Sequence, residues 1–359
     1  MRFFSKLAML AAFAAPVLAS TVADARDFYA GKTLTMIVGF TPGGGTDLFG
    51  RVMAEGLQKH LAGNPNIIVS NRPGAESVVA SNYYVEVAKR DGETLMVGTG
   101  QLLLRIIFGL EGSKAKLSDY EQLAAVPMGR IIYGLPASRI ETVADLKKKD
   151  RELILGVPGV ISSIEAVLGL EVLGANYRVV RGYPGRKEIA LALERGETNV
   201  DTQTTPVYET SIRPLVTAKK ATPLFAQGLF DAKGNLVRDS AADDVPTVAE
   251  VYKELYGKAP EGPTWRAYNT AVTAMGTLGK VLMIHADAPA DAKSAVLAAI
   301  DAMTKDPAYM ERAGKALEGY PIVHGPQLQT NVKRVLATTP EETEWFKDFL
   351  STKFNVRFN

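Results

Sequence analysis

The chain has 359 residues, with 41 lysines and arginines against 39 aspartates and glutamates, and it contains no cysteine. This balance of charge, without a basic block or an Arg-rich helical face, argues against nucleic acid and anionic membrane surfaces as partners. Because no disulfide can form, the hydrophobic cores must be large enough to fold unaided. The length allows two domains of about 100–200 residues each.

The first 25 residues have the pattern of a secretory signal peptide. Arg2 and Lys6 precede an apolar stretch at residues 7–18, and Ala23-Asp24-Ala25 forms a small-x-small cleavage site. The apolar stretch is shorter than the roughly 20 residues that a membrane-spanning helix needs. We therefore expect a soluble, exported protein that begins at Arg26 after cleavage behind Ala25.

Residues 33–61 predict a strand, a turn with three consecutive glycines and an amphipathic helix. The strand covers 34–40, and Thr46 or Asp47 is the expected helix N-cap. Glycines let the backbone approach a ligand closely, and the helix dipole favours negative charge at its N-terminus. Free N–H groups at the turn thus predict an anion site. The expected buried face of the helix consists of Leu48, Phe49, Val52, Met53, Leu57 and Leu61.

Two nucleotide-binding glycine motifs do not fit this turn. Gly39 and Gly44 have Walker A spacing, but Gly45-Thr46 follow where Lys and Ser or Thr are required. A dinucleotide fingerprint that starts at Gly43 would need a glycine in place of Leu48. We expect no cofactor here. The alternative to an anion site is a glycine-rich turn that only reverses the chain.

Apolar runs alternate with helical periodicity along the chain, which predicts an α/β fold of two doubly wound lobes with mainly parallel strands. The first series comprises strand 34–40, helix 46–61, strand 67–69, helix 75–89 and strand 94–98. The second comprises strand 130–135, helix 143–149, strand 153–157, helix 162–173, strand 178–181, helix 185–195 and strand 199–203.

Ligands of open α/β sheets bind at the carboxyl ends of strands, where the β-α turns meet. These turns are rich in hydroxyl and amide groups, which suit a small, oxygen-rich anion. The candidate ligand-binding residues are Phe40, Thr41, Pro42, Gly43, Gly44, Gly45, Thr46, Asp47, Glu76, Thr99, Gln101, Ser162, Ser163, Asp201, Thr204 and Thr205.

Four segments carry a family resemblance: TLTMIVGFTPGGGTD at 33–47, VSNRPGA at 69–75, AKRDGETLMVG at 88–98 and VPTVAE at 245–250. They resemble the solute receptors of tripartite tricarboxylate transporters, also called Bug proteins. The likeness is strong over 29–98, looser over 150–250 and weak towards the C-terminus.

The resemblance implies a periplasmic, type 2 binding-protein fold that closes on a carboxylate-bearing solute and delivers it to a membrane permease. It implies that the loop at 41–47 holds a ligand carboxylate through N–H groups and waters, opposite segments 156–163 and 201–205. We expect one lobe at 26–125 and 226–359 and the other at 126–225, joined by a two-crossing hinge. The C-terminal helices, including one at 288–303, should pack on the first lobe. We expect a monomer.

One departure from the family pattern bears on the ligand. After Asn-Arg-Pro-Gly the chain continues with Ala75-Glu76-Ser77, where family members have small residues and glycines. A carboxylate at Glu76 would disfavour a highly charged anion and favour a monocarboxylate, aromatic or otherwise bulky. The alternative is that Glu76 merely favours the first turn of a helix. Arg105 or Arg186 could pair with a distal ligand carboxylate, although a surface position is the more frequent outcome for such an arginine.

Two other classes of function stay open. An enzyme is disfavoured because the three histidines lack metal-ligand spacing, and no Gly-x-Ser-x-Gly elbow or cysteine nucleophile occurs. We expect no metal and no catalytic residues. A ligand-dependent co-receptor for a sensor kinase cannot be separated from a transport receptor by one sequence.

Overall fold

A computed structural model describes residues 28–183, 185–231 and 233–359, without the side chains of residues 186 and 187. The predicted signal peptide and its cleavage site lie outside the described residues. No helix in the described part of the chain is both long and apolar enough to cross a membrane.

The strands form two main sheets and one short hairpin. They are β1 (Thr33–Val38), β2 (Asn66–Asn71), β3 (Thr94–Thr99), β4 (Tyr120–Val126), β5 (Arg130–Gly134), β6 (Leu153–Val157), β7 (Tyr177–Arg181), β8 (Val200–Thr204), β9 (Thr222–Ala226), β10 (Leu229–Phe230), β11 (Leu236–Val237), β12 (Lys280–His285) and β13 (Val323–His324).

The α-helices alternate with these strands and then follow one another towards the C-terminus. They are α1 (Gly45–His60), α2 (Val78–Glu86), α3 (Gly100–Ile107), α4 (Ile164–Val172), α5 (Arg186–Glu194), α6 (Thr205–Val207), α7 (Arg213–Thr217), α8 (Val248–Tyr256), α9 (Pro263–Val272), α10 (Ala290–Met303), α11 (Pro307–Ala316), α12 (Gly325–Leu336) and α13 (Pro340–Phe354).

Both sheets combine parallel strands with an inserted antiparallel strand. The first has the order β13-β4-β12-β3-β1-β2, in which β1 is parallel to β2 and β3, and β12 is antiparallel to β3 and β4. The second has the order β7-β6-β8-β5-β9, in which β6 is parallel to β7 and β8, and β5 is antiparallel to β8 and β9. The predicted α/β class with two lobes is confirmed.

The two antiparallel insertions have a consequence for the ligand-binding edges. Strand β12 begins where β3 ends, and β5 begins where β8 ends. The first residue of each antiparallel strand therefore lies at the carboxyl edge of the parallel strands, which is the edge that binds ligands in open α/β sheets.

Helix α1 packs against the first sheet and against α10, as expected for the C-terminal helices. Phe49, Val52, Met53, Leu57 and Leu61 are buried. The prediction for Leu48 is wrong, since 42% of this residue is exposed. The apolar stripe starts at Phe49, and the preceding position lies about 100° around the helix from it.

Helix α2 starts later than predicted because a left-handed turn precedes it. Ala75, Glu76 and Ser77 have φ values of 45°, 54° and 76°, and the regular helix begins only at Val78. Side chains rarely adopt this conformation, and the sequence has no glycine at these three positions to signal it.

Candidate ligand-binding cavity

A cavity of about 440 Å³ lies between the two sheets, and we call it the interlobe cavity. Its size falls within the range of about 300–1,000 Å³ that is usual for small-molecule sites. Its lining residues come from both sides: Phe40, Gly45, Thr46, Thr99, Gly100, Gln101, Met128, Arg130, Thr204, Met275, Gly279, Lys280 and Glu318.

Two helices begin at this cavity. Gly45 is the first residue of α1, which is 16 residues long, and Gly100 is the first residue of α3, which is eight residues long. The first-turn N–H groups of a helix have no acceptor within the helix, and its dipole makes this end positive. The convergence of the two N-termini creates a favourable environment for an anion.

Thr99 and Lys280 face each other across β3 and β12 at the same cavity. They are directly paired in the antiparallel register, and Gly100 N donates to Gly279 O at 3.2 Å beside them. Thr99 is 7% exposed, and its Oγ1 has no hydrogen-bond partner among the described residues. A buried hydroxyl without a partner is costly, which makes it a candidate for ligand contact.

The Lys280 ammonium is half-buried and makes no hydrogen bond or ion pair with residues 28–183, 185–231 or 233–359. Burial lowers the pKa of Lys280, and the charge of Glu318 opposes this shift. Its Nζ lies 3.4 Å from the position that a Cβ on Gly45 would occupy. The cation thus sits beside the first turn of α1.

The second sheet places a similar pair at the opposite side of the cavity. Arg130 begins β5 and is paired in register with Thr204, the last residue of β8. Here the cation is already neutralised, because Arg130 Nε lies 3.2 Å from Oε1 of Glu165, a residue that is 0% exposed.

The glycine turn differs from its predicted form in two ways. Gly44, not Thr46 or Asp47, is the N-cap of α1. The Asp47 carboxylate instead folds back over the turn and accepts hydrogen bonds from Gly43 N at 2.9 Å, Arg51 Nε at 2.8 Å and Asn71 Nδ2 at 2.8 Å. The N–H of Gly43 is therefore not free for a ligand.

These contacts also affect the ionisation of Asp47. Burial alone would raise its pKa, but the hydrogen bonds from Arg51, Gly43 and Asn71 outweigh burial and lower the pKa to about 2. Asp47 consequently carries a charge that holds the turn in place.

The structure brings six of the candidate residues together around the interlobe cavity: Phe40, Gly45, Thr46, Thr99, Gln101 and Thr204. Four others, Thr41, Pro42, Gly43 and Gly44, lie in the exposed part of the turn and do not line the cavity.

Three of the other candidates of the second lobe make hydrogen bonds within the protein, whereas the buried Ser163 hydroxyl has no partner among the described residues. Ser162 Oγ donates to Gly159 O at 2.6 Å, and Ser163 is fully buried at the start of α4. Asp201 accepts from Tyr133 Oη and Gln203 Nε2, both at 3.1 Å. Thr205 Oγ1 donates to Asp239 Oδ2 at 2.7 Å. None of these four candidates lines the interlobe cavity.

Glu76 lies in a second, larger depression of about 880 Å³, which also contains Arg105 and residues 158–161. Its Oε2 lies 2.8 Å from Arg105 Nε. This pairing neutralises both charges, so Arg105 is already occupied by a protein carboxylate. The side chain of Arg186, the other predicted partner of a distal carboxylate, lies outside the described part of the structure.

Sequence reasoning missed Lys280 and Arg130 at the interlobe cavity. It considered only the turns that follow parallel strands, whereas both cations stand at the beginning of antiparallel strands. The described residues contain no group of three or more His, Cys, Asp or Glu side chains that could hold a metal ion.

Comparison with known sequences finds relatives that match part of the chain. No protein-family model matches the chain. A UPF0065 protein of Bordetella pertussis is 27% identical over 279 residues, which cover 75% of this chain and 79% of that protein. Protein BugT of the same organism is 38% identical over 96 residues, which cover 27% of this chain and 26% of that protein.

Solved structures share the fold over most of the chain. A TctC solute-binding protein from Polaromonas has a TM-score of 0.63 at 19% identity, with 90% of this chain and 99% of that one covered. The periplasmic binding protein BugD has a TM-score of 0.58 at 19% identity, with 89% and 98% covered. An R. palustris protein solved with adipate has a TM-score of 0.58 at 16% identity, with 91% and 98% covered.

Proposed function

We propose that the chain is a periplasmic solute-binding protein, because it has Bug-type solute receptors among its homologues and shares their two-lobed fold. It captures a small carboxylate-bearing solute in the interlobe cavity and delivers it to a membrane transporter of the tripartite tricarboxylate type. It acts by binding and release, without chemical change of the solute.

The observation that carries this proposal is the convergence of α1 and α3 on a cavity between the two sheets. Their first turns, at Gly45 and Gly100, place positive dipole ends at one cavity. The side chains of Thr46, Thr99 and Gln101 add uncharged hydrogen-bond donors for an anion. The adipate in the R. palustris structure supports the class of ligand.

Capture requires that the two lobes move about the segments that join them. We propose lobes at 26–125 with 226–359 and at 126–225, because the first sheet uses strands from 33–126 and 280–324, and the second uses strands from 130–226. Met128 in the first crossing segment lines the cavity and is held by Gly276 O and by Gln227 Nε2, both at 2.7 Å. Closure excludes water and strengthens each hydrogen bond to the anion.

A thermal-shift screen tests the binding step. Residues 26–359 are denatured and refolded to remove retained solute, then heated with mono-, di-, tri- and aromatic carboxylates. A ligand at about 100 times its Kd adds roughly 2.7 kcal/mol of stability, which raises the melting temperature. Folded protein that responds to no carboxylate would contradict the proposal.

A pair of glycine variants locates the site. In Gly45→Leu the new side chain enters the interlobe cavity, and we expect carboxylate binding to be lost. Gly314→Leu is the matched control, because a Cβ there meets nothing within 4 Å and the residue lies outside the cavity. Equal binding by both variants would place the site elsewhere.

Export and delivery are tested in cells. We expect the mature protein in the periplasmic fraction with Arg26 as its first residue. Cells that lack the protein should lose high-affinity uptake of the labelled carboxylate, while the purified protein binds it unchanged after incubation. A chemically altered ligand would indicate an enzyme, and unchanged uptake would argue against the transport role.

A further inference from the structure

We propose that Lys280 and Thr99 together bind one carboxylate group directly, and that the interlobe cavity therefore selects a monocarboxylate with an apolar body. This inference rests on the proposed function, since it specifies the ligand class of the same cavity. Glu76, on which the sequence-based expectation of a monocarboxylate depends, lies in the other depression and does not line this cavity.

The first step is the geometry of the cross-strand pair. Directly opposed residues of an antiparallel pair project from the same face, with Cβ atoms about 4.5–5.5 Å apart. Thr99 and Lys280 are such a pair, and both line the cavity. A carboxylate between them can accept one hydrogen bond from the threonine hydroxyl and one from the ammonium group.

The second step is that both groups lack a partner within the described residues. The Thr99 Oγ1 is buried without a hydrogen bond, and the Lys280 ammonium is half-buried without an ion pair. Desolvated polar groups that are left unpaired destabilise a protein. A ligand carboxylate satisfies both groups at once, and an ion pair shielded from water is stronger than one at the surface.

The third step is the charge inside the cavity. Arg130 is neutralised by the buried carboxylate of Glu165, which leaves Lys280 as the cation available to a ligand among the described lining residues. Glu318 lines the exposed mouth of the cavity and carries negative charge. A first carboxylate thus finds one available positive charge at Lys280, whereas a second carboxylate finds no further available cation among the described lining residues.

The fourth step is the apolar wall. Phe40, Met128 and Met275 line the same cavity and are half-buried or buried. Methionine side chains adapt to irregular ligand shapes. A short alkyl chain or an aromatic ring attached to the carboxylate would contact these three residues and exclude water from the ion pair.

The test uses three six-carbon ligands that differ only in their ends: hexanoate, adipate and hexanamide. Benzoate and terephthalate provide an aromatic pair. Calorimetric titration of refolded residues 26–359 gives each Kd at pH 7. We expect each monocarboxylate to bind about tenfold or more tightly than its dicarboxylate partner, because the second carboxylate must be desolvated without a counter-charge. Hexanamide should bind more weakly than hexanoate by a similar factor.

Variants test the two binding groups separately. Lys280→Met nearly keeps the length of the side chain but removes its charge, and it should lower the affinity for hexanoate by about tenfold or more, since a charged hydrogen bond is lost. Thr99→Val is nearly isosteric and should lower the affinity for hexanoate by about threefold to tenfold. Lys315→Met, at an exposed lysine that is paired with Glu311, is the matched control and should bind as the wild type does.

The folding of Lys280→Met can be judged independently. Because the variant removes a desolvated charge without a partner, its ligand-free melting temperature should equal or exceed that of the wild type. Weak binding by a folded variant therefore reports on the carboxylate contact.

The outcomes separate this inference from the proposed function. If adipate binds as tightly as hexanoate, or if Lys280→Met binds hexanoate like the wild type, the protein is still a carboxylate receptor and only the present inference is wrong. If the folded wild type binds neither these acids nor any carboxylate of the thermal-shift screen, both proposals fail. If it binds another carboxylate but neither hexanoate nor benzoate, only the present inference is wrong.

Discussion

The two lobes place a cation and a threonine at the same topological position and use them differently. In the first lobe Lys280 is paired in register with Thr99, and in the second lobe Arg130 is paired with Thr204. Glu165 is fully buried beside Arg130, whereas Lys280 has no such carboxylate among the described residues. Equivalent positions at the ligand edge can thus serve stability in one lobe and ligand binding in the other.

The largest expected effect separates these two roles. Arg130→Met removes the guanidinium that lies beside the buried Glu165 carboxylate, and we expect the free energy of unfolding to fall by about 3–5 kcal/mol. Lys280→Met should not lower it. Urea denaturation of both variants without ligand measures the difference. Equal losses would mean that Lys280 also has a structural partner.

A second prediction concerns the turn that precedes α1 in the first lobe. The pKa of Asp47 is about 2 in the folded state and 3.8 in the reference state. Because the pKa is lower in the folded state, the ionised carboxylate stabilises the protein at pH values above about 4, and this stabilisation is lost as the pH falls from about 4 to about 2. We expect the carboxylate to contribute about 1–2 kcal/mol to the free energy of unfolding, which is less than the full pKa shift would give because Arg51 is half-exposed.

Asp47→Asn checks this value. The stability difference between wild type and variant should be constant above about pH 4.5 and shrink at lower pH. A difference that does not depend on pH would mean that the charge of Asp47 does not hold the turn, even if the variant is less stable.

A third prediction concerns the Arg130–Glu165 pair of the second lobe. Glu165→Gln removes the carboxylate that neutralises Arg130, so that the cavity would hold a second cation available to a ligand. We expect adipate to gain about tenfold in affinity relative to hexanoate, which corresponds to about 1.4 kcal/mol. Calorimetric titration measures this ratio, and Glu254→Gln, at an exposed glutamate of α8, is the control. An unchanged ratio would show that the Arg130 charge does not reach the ligand.

The parallel strands and the turns that follow them were predictable from sequence, which is why part of the lining of the interlobe cavity could be predicted. An apolar run predicts strand β3, and the turn at its end identifies Thr99 and Gln101 as candidates. Arg130 was missed because the predicted strand at 130–135 was not expected to run antiparallel to its neighbours and to begin at the ligand edge, and Lys280 was missed because no strand was predicted over 280–285. Only the pairing of β12 with β3, and of β5 with β8, reveals that these strands begin there.

Two of the acidic candidates, Asp47 and Glu76, also depended on tertiary contacts. Asp47 is a residue type typical of an N-cap, but hydrogen bonds from Arg51 and Asn71 hold its carboxylate over the turn. Glu76 is a residue type typical of a helical first turn, yet it lies in a left-handed segment and pairs with Arg105, which is 29 positions away in the sequence. Local propensity does not contain the long-range hydrogen bonds from Asn71 and Arg105.

The smallest expected effect lies at the mouth of the cavity. Glu318→Gln removes a negative charge from the lining of the cavity, and we expect the affinity for adipate, which carries two negative charges, to rise about twofold to threefold, because exposed charges interact weakly across solvent. The effect should decrease in 0.5 M salt as screening increases. A rise that salt does not reduce would point to a steric cause.

The most direct test is a crystal structure of refolded residues 26–359 with bound hexanoate. We predict that one carboxylate oxygen lies about 3 Å from Lys280 Nζ and the other about 3 Å from Thr99 Oγ1, with the alkyl chain against Phe40, Met128 and Met275. A carboxylate bound instead at Arg105 in the larger depression, with Lys280 paired to a protein side chain, would contradict the account.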